Sequence, residues 1–199
     1  MEGIEENIRS AAEVFERMER ERETALECSR RIIRLSKRAI HAVHVDGDRT
    51  EPLAQLDAAV SDMMSVGSQE TRLSQIVQDA LMEYAEARIL NAAVSGDRVP
   101  SPEDLGIGAS AWVLGLADSI GELRRVVTSC LMGGDFDSAS RHFAIMEEIS
   151  GQLMLLDVPD AIAPVRRKQD IARGIMDRTR SDMTMASIMG LGRNRFRIF

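Results

Sequence analysis

The chain has 199 residues, 44% of them hydrophobic and 29% charged, with a net charge of −7; that suffices for a substantial buried core and excludes a disordered chain. Aromatic residues make up only 4% while Ala, Leu, Ile, Met, Arg and Glu abound, an alphabet that builds helices and little sheet. No apolar run reaches the length of a membrane span, Met1 is followed by Glu-Gly-Ile-Glu-Glu, and Cys28 and Cys130 lack metal-ligand spacing, so a cytoplasmic protein with reduced core thiols, no signal peptide and no membrane contact is expected.

The net charge hides a segregation along the chain. Residues 1–27 hold nine acids and four bases, residues 28–50 six bases and two acids, residues 51–163 eighteen acids and six bases, and residues 164–199 nine bases and three acids. Basic faces beside an acidic middle can bind phosphates and still hold a cation, although charge also segregates in proteins that do neither.

From Ile4, apolar or small residues recur at alternating spacings of four and three through Ile8, Ala11, Phe15, Met18, Ala25, Ser29, Ile32, Ser36, Ala39 and Val43. This predicts one helix of nearly forty residues, stopped by Asp46-Gly47-Asp48 and long enough to need other helices to cover it. Another face of it carries Arg30, Arg34, Lys37 and His41 in a row, flanked by Arg31 and Arg38. Such a row is either a solvated face or a grip for phosphates.

A second helix is predicted from about Pro52 to Met64 with Leu53, Leu56, Val60 and Met63 inward, broken by Ser65-Val66-Gly67-Ser68. A third, from about Glu70 to Val94, contains Met82-Glu83-Tyr84-Ala85-Glu86-Ala87. Its two carboxylates are three residues apart and share one helical turn. Glu83 points along the direction of Ile76, Ala80, Ala87 and Leu90, and a carboxylate on an apolar stripe is costly unless something meets it. A metal ion, an arginine such as Arg88, or water at the stripe's edge are the candidates.

Ser101-Pro102-Glu103-Asp104 has the form of a capped helix start. The fourth long helix, about Ser110 to Met132, buries Trp112, Leu116, Ile120, Leu123 and Val127, while another face shows Gly115, Asp118 and Glu122 with Gly121 and Arg125 alongside. Asp118 and Glu122 lie one above the other and repel, and the two glycines weaken the helix by about 1 kcal/mol each. Close approach of a neighbour would explain the glycines, and Arg125 is available to neutralise Glu122.

Gly133-Gly134 ends that helix, and Asp137 in Asp135-Phe136-Asp137-Ser138 is placed to cap the next, which runs to about Leu155 with Phe143, Met146, Ile149 and Leu153 inward. Pro164 opens a last helix through Ile171, Ile175 and Thr179 to about Ile188. The division expected is one all-α domain over residues 1–189 and a basic tail over 190–199, where Arg alternates with Phe and Ile. That tail suits an RNA contact, a docking strand or a free end, and the residues do not rank these.

No phosphate-binding glycine loop, nucleophile elbow or internal repeat is present, and His41, His44 and His142 form no ligand pattern. Acids without Cys or His partners favour hard cations such as Mg²⁺ or Mn²⁺. Glu83 and Glu86 with Asp137 at its glycine-flanked turn are enough for one such ion. It would activate water toward a phosphodiester.

Ser29-Arg30, Ile32, Ser36-Lys37-Arg38-Ala39-Ile40 and His44 resemble the first helix of the translin and translin-associated factor X (TRAX) superfamily. So do Glu83-Tyr84-Ala85-Glu86-Ala87, and most specifically Trp112-Val113-Leu114-Gly115-Leu116-Ala117-Asp118-Ser119-Ile120-Gly121-Glu122-Leu123 followed by Gly134-Asp135-Phe136-Asp137. The likeness covers most of the chain in order. It implies an all-α bundle of six or seven helices with a very long N-terminal helix, assembling into a hollow homo-oligomer, an octamer by resemblance, around single-stranded RNA or DNA. Within the family, TRAX-type subunits are metal-dependent endoribonucleases and translin-type subunits mainly bind. The TRAX-type catalytic acids match Glu83, Glu86 and Asp137, so the chain resembles the catalytic branch, in a short form like that of archaeal members.

The expectation that follows is an endoribonuclease in which Glu83, Glu86 and Asp137 hold Mg²⁺ or Mn²⁺, Glu122 is a fourth metal-site acid, and Arg30, Arg34, Lys37 and Arg38 grip phosphates. The alternative is a translin-like oligomer that binds single-stranded nucleic acid without cutting it, its acids neutralised by Arg88 or Arg125. A helical scaffold with no nucleic-acid role is the third reading.

Overall fold

The computed structural model describes residues 3–65, 71 and 74–190. Among them lie seven helices and no strand: α1 (Ile4–His44), α2 (Thr50–Ser65), α3 (Gln75–Ser95), α4 (Pro102–Leu105), α5 (Ala109–Met132), α6 (Phe136–Met154) and α7 (Val165–Ile188). The expected break at residues 66–68, the helix start near Glu70 and residues 191–199 of the basic tail lie outside the described residues. No described helix is long and apolar enough to cross a membrane.

The punctuation read from the sequence holds at most ends. Asp46 turns to a positive φ of 50° and the Gly47 N–H reaches back to the Ala42 carbonyl at 2.9 Å, closing α1. Ser101 and Asp104 form a reciprocal capping box around Pro102. The Trp112 indole donates to the Pro100 carbonyl at 2.8 Å, tying this loop to the start of α5.

α2 folds back against α1, with Ser29 beside Met63 and Arg31 beside Asp62. It also runs antiparallel to α3, since Arg49 meets Ser95 while Tyr84 meets Asp57. α3 packs between α1 and α5, and α5 in turn contacts α6 and α7. α7 runs in the same direction as α5: Lys168 meets Asp118 near its start and Asp182 meets Arg124 near its end. α3 is therefore buried on most sides, through Val77, Ala80, Leu81, Tyr84, Ala85, Ala87, Ile89 and Leu90, which leaves little room for charge around its middle.

Two parts of the bundle differ from the sequence pattern. The seam of α1 is covered only from Ala25 onward; Ile4, Ile8, Phe15 and Met18 continue the stripe but stand exposed, Phe15 by 67%. In α7 the inward residues are Val165, Gln169, Ala172, Met176, Thr179, Met183 and Ala186, and Ile171 is exposed. Gln169 sits in the core because its amide donates to the Leu153 and Leu156 carbonyls at 2.9 and 2.8 Å, satisfying the open end of α6. A polar residue at that position hides the true seam from a hydrophobic count.

Candidate functional site

The site grows from the middle of α3. Tyr84 is buried and its hydroxyl donates to Asp57 at 3.0 Å, while Arg88 pairs with the same aspartate at 3.4 Å. This fixes the rotation of α3 on its α2 side. Arg88 is thereby committed to Asp57 and does not meet Glu83 or Glu86.

On the other side α5 comes unusually close, and Gly115 is the reason. A methyl group there would stand 2.5 Å from the Met82 carbonyl, 2.7 Å from the Ala85 Cβ and 2.9 Å from the Glu86 nitrogen. The backbones touch at a point where any side chain would collide, so the glycine anticipated from helix cost has its explanation. Gly121 does not share it, because the nearest atom to a methyl there is Ile175 Cδ1 at 3.9 Å. Asp118 lies one turn beyond Gly115 and Glu122 two turns beyond, on the face that turns toward Glu83 and Glu86.

The acids of α5 act on the two glutamates of α3. Burial raises the pKa of Glu86, and Asp118, Glu83 and Glu122 push it further, to about 8, against an opposing pull from Lys168. Burial likewise raises Glu83, with Lys37 opposing, Asp118 adding, Lys168 opposing and Glu122 adding. Burial and the neighbouring acids thus favour the protonated form of Glu86 at neutral pH, more than Lys168 opposes it. Such a carboxyl ionises readily once a cation approaches.

Asp118 and Glu122 already have partners. Lys168 of α7 places its ammonium 2.6 Å from both oxygens of Asp118. Glu122 is in a short hydrogen bond with His44 Nε2, whose side chain is only 4% exposed, and Arg125 stands 4.0 Å away, mostly in solvent. The expected neutraliser, Arg125, is therefore secondary to His44. As these side chains stand, no three acidic, histidine or cysteine groups among the described residues surround one point at ligand distance. The donor set is nonetheless all carboxylate oxygen and half-buried, which suits a hard divalent ion.

Asp137 is not part of this cluster. The N-cap of α6 is Asp135, whose carboxylate accepts from the Ser138 N–H at 2.9 Å. Asp137 falls in the first turn beyond it, exposed. Its charge is not among those that act on Glu83 or Glu86, and α6 barely touches α3. The acids that act on Glu83 and Glu86 are Asp118 and Glu122, the second of which was expected there. The signal for Asp118 was present in the sequence as a repelling pair on a glycine-bearing face. Lys168 gave no signal.

Arg30, Arg34, Lys37, Arg38 and His41 are all exposed along α1, as expected for the basic row. Arg31 differs, pairing with Asp62 at 3.5 Å. Lys37 also acts on Glu83, so the row reaches the rim of the acidic cluster. Cys28 and Cys130 are free thiols, partly buried against the core.

No family model matches the chain. An uncharacterized protein of Methanocaldococcus jannaschii is 32% identical over 165 residues, covering 81% of this chain and 74% of that protein. Among solved structures, AfC3PO is similar at 29% identity with a TM-score of 0.84, over 93% of this chain and 99% of that one. The AfC3PO complex with duplex RNA matches at 28% identity and a TM-score of 0.83, over 93% and 98%. Apo-NeC3PO, at 21% identity and a TM-score of 0.78 over 90% and 97%, shares the fold.

Proposed function

We propose, for a chain that belongs to the translin/TRAX superfamily, that it is a metal-dependent endoribonuclease working inside a homo-oligomer. Glu83 and Glu86 of α3 and Asp118 and Glu122 of α5 would hold Mg²⁺ or Mn²⁺. In this reading Asp118 stands where the resemblance implied Asp137. The observation that carries the proposal is the gathering of four half-buried carboxylates, one with its pKa raised to about 8, against a helix whose exposed face is a row of cations.

A divalent ion held there would supply Lewis-acid stabilisation of phosphoryl oxygens and a more acidic water. The chain's own residues do the rest. Gly115 sets the distance between the two acid-bearing helices. The pairings of Asp57 with Tyr84 and Arg88 hold the rotation of α3. Arg30, Arg34, Lys37 and Arg38 would bind backbone phosphates and deliver the strand past Lys37 to Glu83. The relative AfC3PO is seen with duplex RNA, so both single-stranded and duplex RNA belong among the probes.

The test is cleavage of end-labelled RNA by the pure protein with Mg²⁺ or Mn²⁺, and with EDTA. Cleavage that needs the metal and disappears in Glu83→Ala and Glu86→Ala is the expected result. Cleavage that persists in both variants would remove the assignment.

A second reading, RNA binding without cleavage, is favoured by the pairing of Asp118 with Lys168 and of Glu122 with His44, which already occupies two of the four acids. It expects salt-sensitive binding in EDTA with no turnover under any metal.

A further inference from the structure

Lys168 stands fifty residues beyond Asp118, on a helix that carries no other member of the acidic cluster. Its ammonium nevertheless reaches into the cluster, bridging both Asp118 oxygens at 2.6 Å with its side chain 22% exposed and that of Asp118 27% exposed. Contact with both oxygens of one carboxylate occupies the lone pairs that Asp118 would otherwise offer to a divalent ion. The other basic side chains nearby are positioned differently. His44 serves Glu122, Arg125 is 62% exposed and only reaches Glu122 at 4.0 Å, and Lys37 is exposed on α1. The field of Lys168 extends past Asp118 to both Glu83 and Glu86.

We infer that Lys168 is a built-in counter-ion that occupies the cluster when no metal is bound and that a divalent ion must displace to bind. The inference rests on the reading that these acids hold Mg²⁺ or Mn²⁺, and extends it to how the site survives without metal. Four carboxylates on two touching helices repel, and one positive charge among them lets α3 and α5 stay at the distance that Gly115 permits. A lysine suits this role better than an arginine would. Its ammonium is a compact charge on a flexible four-carbon stem, able to leave by rotating toward solvent, whereas a guanidinium fork would grip the carboxylate with two parallel bonds. Lys168 lies in the first turn of α7.

The experiment measures binding of Mn²⁺ alone to the full chain by calorimetry, together with Tm in EDTA and in saturating Mn²⁺. Lys168→Met removes the competitor: Mn²⁺ should bind about tenfold more tightly, while Tm in EDTA should fall by about 5 °C or more through the unopposed acids. The Mn²⁺-induced rise in Tm should then exceed that of the unaltered chain. Lys168→Gln, which is neutral but can still hydrogen-bond Asp118, should also tighten Mn²⁺ binding, and Lys168→Arg, which keeps the charge, should not. If Lys168→Met fails to fold, the comparison of the Gln and Arg variants carries the test. Adding Asp118→Asn to Lys168→Met should restore Tm in EDTA. Unchanged or weaker Mn²⁺ binding in both neutral variants overturns the inference while leaving the metal site standing. Absence of Mn²⁺ binding from the unaltered chain and every variant removes the metal site itself, and the inference with it.

Discussion

The crossing of α3 and α5 and the turn between α5 and α6 each carry a pair of acids near a glycine, and they treat them in opposite ways. At the crossing, burial and mutual repulsion raise Glu83 and take Glu86 to about 8. At the turn, Asp135 is lowered by its hydrogen bonds to Ser138 and lies fully in solvent. The lone pairs of Asp135 are spent on a helix end, and its charge is at ease there. Those of Glu83 and Glu86 have no protein donor among the hydrogen bonds described. A carboxylate becomes a cation ligand through what its surroundings withhold from it, and spacing along the chain does not report that.

The strongest way to break this contrast is to remove acids from each region and measure RNA cleavage. Glu83→Ala or Glu86→Ala should lower the rate more than about 100-fold, because loss of even a partner behind a metal ligand costs about 10–100-fold. Asp137→Ala should stay within about twofold of the unaltered chain. A large loss at Asp137 would move the site to the turn.

Next in size is an effect on stability alone. Gly115→Ala forces a methyl into the Met82 carbonyl and the Glu86 nitrogen, where backbone on both sides cannot yield. It should destabilise by about 1–3 kcal/mol, lowering Tm by several degrees in a chain of this size. Gly121→Ala meets only the tip of Ile175 at 3.9 Å and should gain about 0.5–1 kcal/mol from helix propensity. Equal Tm values for the two variants would mean that the helices do not touch at Gly115.

The pH dependence of stability should separate the two regions as well. Between its ordinary value of 4.5 and about 8, Glu86 keeps a proton in the folded chain that the unfolded chain has lost. The folded state then binds more protons, so in EDTA stability falls as pH rises through that window, by up to about 1.4 kcal/mol per pH unit. Glu83 adds in the same sense. Glu86→Gln should flatten the profile in denaturant titrations from pH 5 to 8. Asp135 works the other way: its contribution is present at neutral pH and lost as pH falls through the acid range below 3.8.

The helices were legible because their seams are long and their ends carry strong breakers, as at Asp46-Gly47 and in the Ser101–Asp104 box. Gly115 was legible as a cost in need of a reason. Ser29, Ser36 and Thr179 were legible as inward polar residues because they sit on regular seams, but Gln169 was not. Gln169 caps α6 from within the core, and the α7 seam was consequently placed on Ile171, which faces water. His44 and Glu122 are 78 residues apart, and Lys168 and Asp118 are 50 apart; such pairs are set by how α1 and α7 lie on α5. At the start of α6 the cap is Asp135 and Asp137 stands exposed in the first turn, a one-residue distinction within Asp135-Phe136-Asp137 that the cap pattern alone does not make.

The smallest effect tests how far the acidic crossing reaches. Lys37 and Arg30 are both exposed on the basic face of α1, but only Lys37 lowers the pKa of Glu83. Replacing either with Gln removes one phosphate contact and should reduce the slope of log affinity against log salt by about 0.7 for single-stranded RNA. The two variants should part at the crossing. Without Lys37, Glu83 loses an opposing charge and rises further, so Lys37→Gln should displace the pH–rate profile of cleavage toward alkaline pH, and Arg30→Gln should leave it in place. Matching profiles would confine Lys37 to the RNA grip and leave Lys168 as the cation that governs the cluster, since its ammonium touches Asp118 directly and its field reaches both glutamates.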